Sequence, residues 1–138
     1  MLPVNSCVRM NVKESILEVE TALQELRTMN QEAPIVVEGR KDKKSLQNLG
    51  LMGVIIVYNK GKSLPNFCDW IAQKYNHVII LTDWDRRGGM LCRRMMNLFN
   101  GRVSYDITIR ERLSKHTMIK TVEGLDTWLE TMEKMVDQ

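Results

Sequence analysis

Histidine, paired cysteine and long apolar runs are what this chain of 138 residues has least of. Its two histidines, His77 and His116, stand alone and read as structural or surface residues. The cysteines, Cys7, Cys68 and Cys92, are odd in number, widely spaced and without a Cys-x-x-Cys pair. That argues against a structural zinc site and for reduced, mostly structural thiols, as in a cytoplasmic protein. No apolar run approaches the roughly 20 residues that a membrane span needs. Met1 to Met10 has no basic stretch followed by an apolar one, so no signal peptide is read and a cytoplasmic location without membrane contact is expected. Internal repeats and low-complexity linkers are also missing. What is present is 43% hydrophobic residues, enough for one compact domain over residues 1–138.

Net charge is only +3, but it is unevenly placed. Residues 1–33 hold three basic and five acidic side chains, and residues 121–138 hold one and five. Residues 34–120 hold sixteen and seven, a net +9. A concentrated positive field attracts polyanions such as nucleic acid, although a solvated basic face gives the same count.

Apolar periodicity predicts the elements. Val12, Ile16, Val19, Leu23 and Leu26 form a helical stripe over residues 12–29, with Asn11 and Glu14 reading as its N-cap and partner. Ile35-Val36-Val37, Val54 to Val57 and Val78 to Leu81 read as buried strands. Between them, Lys41 to Leu49 reads as a helix closed by Gly50, and Ser63 caps a helix with Pro65 in its first turn. A helix from about Met90 to Phe99 is expected to turn Leu91, Met95 and Leu98 inward, followed by a short strand at Arg102 to Tyr105. Residues 106–120 fit a short helix and a loop, and residues 122–136 a final helix. Strands apolar on both faces and alternating with helices predict an α/β fold in three layers around a mainly parallel sheet.

In such sheets, ligands bind beyond the carboxyl ends of the strands. Glu38 follows the first strand, and Asp83 and Asp85 follow the third. Residues two apart in extended chain point the same way, and Glu38 joins the aspartates if the two strands are neighbours. Three carboxylates that close repel unless a cation or proton intervenes, and oxygen donors alone suit Mg2+ rather than zinc. As an alternative, the acids cap helix N-termini; for Asp42 that reading and support of a metal weigh equally. Arg40, Lys41, Lys43 and Lys44 follow the glutamate, Lys60 and Lys62 flank Gly61, and Arg86, Arg87, Arg93 and Arg94 follow the aspartates. Acids for metal ringed by bases for phosphate form a phosphodiester site. Gly88-Gly89 either lets a phosphate reach backbone N–H groups or makes a tight turn. Trp84, pointing away from the aspartates, reads as packing beneath them rather than stacking a base.

Val36-Val37-Glu38-Gly39-Arg40-Lys41-Asp42 together with Ile79-Ile80-Leu81-Thr82-Asp83-Trp84-Asp85-Arg86-Arg87-Gly88 resembles the Toprim domain, with its glutamate after the first strand and Asp-x-Asp after the third. Over residues 33–105 the likeness is to that domain, and the whole chain most resembles small stand-alone Toprim proteins found mainly in archaea. Tyr58-Asn59-Lys60-Gly61-Lys62-Ser63-Leu64 is similar to the Asn-Gly-x-Ser-Leu turn of the rRNA-maturation ribonuclease branch, with Lys60 inserted. The resemblance implies a four-stranded sheet with helices on both faces, Mg2+ held by Asp83 and Asp85, and Glu38 as general acid/base or a further ligand. A topoisomerase needs a separate tyrosine-bearing domain and a primase a larger core, so neither is expected here. The expected activity is a magnesium-dependent nuclease acting on structured RNA, with DNA as the other substrate class. The alternative is a non-catalytic nucleic-acid-binding or assembly module whose acidic terminal helices, with Met10, Met29, Met132 and Met135, dock a partner. Core packing is the favoured role for those methionines. Composition sets no oligomeric state.

Overall fold

A computed structural model of the chain describes residues 4–59 and 61–137, with residues 4–10 described as backbone only. Helix α1 (Val4–Asn30) leads into β1 (Ile35–Val37), α2 (Arg40–Asn48), β2 (Ile55–Val57), α3 (Leu64–Lys74), β3 (His77–Ile80), α4 (Arg86–Phe99), β4 (Ser104–Asp106), α5 (Thr108–His116) and α6 (Leu125–Asp137). The four strands form one sheet in the order β2-β1-β3-β4, and all three pairings are parallel. β1 and β3 are therefore neighbours, the condition under which Glu38 meets the aspartates.

Alternation along each strand sorts side chains between two cores. Ile35, Val37, Ile55, Ile79 and Leu81 face α1, α2, α5 and α6, where they meet Leu23, Leu26, Leu46, Leu113 and Trp128. Val36, Val78 and Ile80 face α3 and α4, against Phe67, Ile71, Met95 and Phe99. Each fully buried Leu, Ile or Phe contributes about 1.5–3 kcal/mol of apolar transfer. Met29 and Met132 pack against the first core, as expected, whereas Met135 is exposed and the Met10 side chain lies outside the described residues. No helix of the described residues is long and apolar enough to cross a membrane.

Strand ends shift by one or two residues from expectation, the fourth strand running Ser104–Asp106, and the larger differences are at three helix starts. The first helix starts at Val4, so Asn11 lies inside it and exposed, not at its cap. Val8 continues the four-residue spacing of Val12 and Ile16, and this outweighs the local polar pair. Helix α4 starts directly after Asp85 and buries Gly88, Cys92, Met95 and Phe99, while Leu91 and Leu98 are half-buried. Two early glycines disfavour a helix by propensity, yet the Asp85 cap and the packing of Gly88 decide the start. Helix α6 starts at Leu125, which leaves Val122 in the preceding loop.

The expected caps of the other helices are in place. Ser63 Oγ accepts from the Asn66 N–H at 3.3 Å with Pro65 in the first turn of α3. Gly50 closes α2 with φ +87°, a left-handed conformation that glycine adopts without strain.

Candidate functional site

Strand order reverses between β1 and β3: the chain moves outward to β2 from one and to β4 from the other. That crevice is where a parallel sheet leaves room for a ligand. Glu38 lies at its edge on the β1 side, and Glu38 Oε2 accepts the Asp83 backbone N–H at 2.7 Å across the gap. Asp83 Oδ1 accepts the Val122 N–H at 2.8 Å. Asp85 Oδ1 caps α4 by accepting the Gly88 N–H at 2.7 Å. Asp42, only 6% exposed, accepts the Gly39 N–H at 2.9 Å in the first turn of α2. The cap role weighed for these acids is thus realised at Asp42 and Asp85.

The acids also act on one another. Burial first, then the charges of Asp42, Glu38 and Asp85, push the Asp83 carboxyl up to about 7 against the pull of the Val122 N–H. Burial likewise raises the Asp42 carboxyl, with Glu38 and Glu123 adding to the rise. Among the described residues, no three His, Cys, Asp or Glu side chains are placed to hold a metal ion together, so Glu38, Asp83 and Asp85 do not converge as a three-residue ligand set. Magnesium does not require one, because it uses one or two carboxylates and keeps several waters. The second oxygens of Glu38, Asp83 and Asp85 accept no hydrogen bond among the described residues. An all-oxygen set with spare acceptors and mutual repulsion fits such an ion.

Two supports of the site lie outside the acidic motifs. Arg110 of α5 donates from Nε to the Thr82 carbonyl at 3.0 Å and from Nη2 to the Asp83 carbonyl at 2.7 Å. The loop before α6 takes the Trp84 N–H on the Lys120 carbonyl at 2.9 Å and the Trp84 indole N–H on the Ile119 carbonyl at 2.6 Å. Trp84 is half-buried against the first core, in line with a packing role. Sequence reasoning missed Arg110 and Val122, since both reach the aspartate loop from far along the chain. The only local signal was an arginine in a segment already rich in bases.

Gly88 answers a steric need. A Cβ there would lie 1.9 Å from the Asp83 carbonyl oxygen, so only glycine lets α4 approach the aspartate loop. The Gly88 and Gly89 N–H groups are both taken, by the Asp85 carboxylate and the Asp85 carbonyl. Gly88 therefore serves close packing, and neither glycine offers a free N–H group to an anion.

A cleft of about 380 Å³ opens beside the acids, lined by Glu38, Tyr58, Arg87, Met90, Leu91 and Arg94. Of the expected bases, Arg87 is thus brought next to Glu38, and Arg94, about two turns further along the same face of α4, joins it. Arg40, Lys62 and Arg86 are exposed and Lys43 is half-buried. Lys41 is exposed and lies 3.9 Å from Glu123, and Lys60 falls outside the described residues. Cys68 is buried and its thiol is pushed up to about 11 by that burial, which removes it as a nucleophile.

The family model for the Toprim domain matches residues 33–117. A UPF0292 protein of Thermoplasma volcanium is 42% identical over 104 residues, covering 75% of this chain and 87% of that protein. Another, of Methanocaldococcus jannaschii, is 33% identical over 119 residues, with 84% and 91% covered. A solved structure, a putative protein from Aquifex aeolicus, matches with a TM-score of 0.65 at 30% identity over 75% of this chain and 94% of that one. Toprim domains generally bind Mg2+, and the domain implies a metal-dependent function connected with nucleic acid. With its four-stranded parallel sheet and its glutamate and Asp-x-Asp at adjoining strand ends, the chain belongs to the Toprim domain family.

Proposed function

We propose that the protein is a magnesium-dependent nuclease that cleaves structured RNA. The observation that carries this is the meeting of Glu38 and Asp83 across the β1/β3 crevice, beside a cleft lined by Arg87 and Arg94. Asp83 and Asp85 would hold the ion. Glu38 moves the proton. Arg87 and Arg94 hold substrate phosphates, for which guanidinium groups are suited by charge and geometry. When bound, magnesium would supply an activated water and charge stabilisation at the leaving oxygen. RNA is favoured over DNA by the likeness of residues 58–64 to the ribonuclease turn.

One observation favours a second reading, a non-catalytic nucleic-acid module. Glu38, Asp42, Asp83 and Asp85 each engage a backbone N–H, so the acids also have a structural task that needs no metal. The test is cleavage of a structured RNA by the wild type and by Asp83→Asn with Asp85→Asn. Asparagine still accepts the Val122 N–H and still caps α4, so the fold is kept. The expected result is magnesium-dependent cleavage that falls about a hundredfold or more in the double variant. Cleavage that survives in the variant rejects the assignment of these acids. Magnesium-independent binding without cleavage by the wild type selects the second reading.

A further inference from the structure

The sheet edge at β2 carries a second, smaller cavity of about 180 Å³, lined by Ile56, Val57, Asn59, Lys62, Phe67 and Trp70. That is below the roughly 300–1,000 Å³ of sites that enclose a whole drug-sized ligand, and it suits a single planar ring system. Trp70 of α3 is half-buried at the rim of the second core, facing the β2 edge. Two ammonium groups stand over its indole: Lys62 Nζ at 5.5 Å and Lys74 Nζ at 4.7 Å from the ring centroid. Both lysines are otherwise exposed. A tryptophan that only packs α3 against the sheet requires neither of them.

The cavity is connected to the acids by aromatic rings. Trp70 lies 6.5 Å from Phe67 between centroids, and Phe67 lies 4.9 Å from Tyr58. Tyr58 lines the cleft that also holds Glu38, Arg87 and Arg94. Its N–H donates to the Val37 carbonyl at 2.8 Å, which puts Tyr58 and Glu38 at adjoining strand ends. A row Tyr58, Phe67, Trp70 thus runs from the carboxylates to the small cavity, with lysines at its far end.

We propose that this cavity is a stacking subsite for one unpaired nucleobase of a strand whose backbone enters the cleft at Glu38. The proposal rests on the reading of that cleft as a phosphodiester site. The base lies on the Trp70 indole, and the Asn59 amide is available to its polar edge. Lys62 and Lys74 turn from the ring to the flanking phosphates. An aromatic face with neighbouring cations is the usual platform for single-stranded nucleic acid, because every base has a π-face and every linkage a charge. A fully paired duplex has no free base face to offer. The substrate class narrows to a nucleic acid with an unpaired nucleotide, in a loop, bulge or end, next to the bond acted upon.

The test measures tryptophan fluorescence without magnesium, titrating oligouridylate or the same strand annealed to oligoadenylate. The expected result is quenching by the single strand and binding about tenfold tighter than by the duplex. Trp70→Phe loses most of the quench, since Trp128 is buried and the Trp84 indole, though near the cleft, packs against the first core with its N–H on the Ile119 carbonyl, but keeps most of the affinity because a ring remains. Trp70→Ala weakens binding about tenfold or more. If that variant does not fold, Lys62→Glu with Lys74→Glu replaces it and is expected to lose binding as well. Equal affinity for the duplex, a quench that persists in Trp70→Phe, no binding by the wild type, or full affinity in Trp70→Ala or in the lysine variant each overturns the subsite. Stacking on Trp70 without any cleavage of structured RNA counts against the nuclease reading and leaves the subsite standing. Cleavage together with unchanged binding in Trp70→Ala does the reverse.

Discussion

Four helices cover one face of the sheet and two cover the other, and the two sides contribute differently to the crevice between β1 and β3. The thicker side sends in groups that hold the aspartate loop by backbone and side chain: Arg110 on two carbonyls, the Val122 N–H on the Asp83 carboxylate, and the Lys120 and Ile119 carbonyls on the Trp84 backbone and indole N–H groups. The thinner side lines the open space: Arg87, Met90, Leu91 and Arg94 from α4, with Tyr58 from the end of β2. Charge follows the same division. Helix α4 holds four arginines and no acid, whereas α6 holds four acids and one lysine. One side positions the acids, and the other lines the open cleft and is the receiving side in the proposed function. The acids stand where the two meet, held by the first and reached through the second.

The largest effect is expected where α4 touches the loop held from the other side. Gly88→Ala places a Cβ 1.9 Å from the Asp83 oxygen, backbone against backbone, and neither can yield without moving the site. A loss of about 3 kcal/mol or more is expected in urea denaturation. Its neighbour provides the contrast. A Cβ at Gly89 meets only the ends of Arg110 and Arg93, at 3.7 and 3.9 Å. Gly89→Ala is expected to be neutral or to stabilise by about 0.5–1 kcal/mol. Equal losses at both positions would show helix propensity, not the close approach, to be the cause.

Next comes Arg110. Arg110→Ala strips a donor pair from the Thr82 and Asp83 carbonyls, for an expected cost of about 1–3 kcal/mol. Lysine has no planar fork to span both oxygens, so Arg110→Lys is expected to recover only part of it. Arg94→Ala on the receiving side is expected to stay within about 0.5 kcal/mol of wild type while weakening nucleic-acid binding. If both arginines affected stability alike, the division between holding and receiving sides would fail.

The sequence revealed one of these sides better than the other. β1, β2 and β3 were readable because buried parallel strands are short runs of β-branched residues, and the acids at their ends were readable because the strands were. Ser63 and Gly50 marked helix ends through chemistry that is local. The holding side gave no such sign. Arg110 acts 27 and 28 residues from its acceptors, and Val122 acts through its N–H, which every residue except proline has. The sequence places the start of α4 four residues late because Gly88 looks like a helix breaker until the Asp83 oxygen beside it is known. Asn11 misled in the opposite way, as a good cap sequence within a longer helix.

The smallest expected effect has the opposite sign. Asp83 holds its proton more tightly in the folded chain than in the unfolded one, with a carboxyl raised from 3.8 to about 7. Between those values the folded state binds more protons, so this group's contribution to stability falls as pH rises through the window and stays low above it. Asp83→Asn removes the decline. The variant is therefore expected to match the wild type near pH 4 and to exceed it in Tm by a few °C above about pH 7, without metal. Asp83 is half-exposed, and solvent screening keeps the gain small. Magnesium is expected to reverse the order by replacing the proton: it raises the wild-type Tm at pH 7.5 and leaves the variant's unchanged. A variant no more stable than the wild type at high pH would show that repulsion among Asp42, Glu38, Asp85 and Asp83 is relieved within the protein. In that case the carboxylates would be serving the holding side alone, as acceptors for backbone N–H groups, and would exert no pull on a cation.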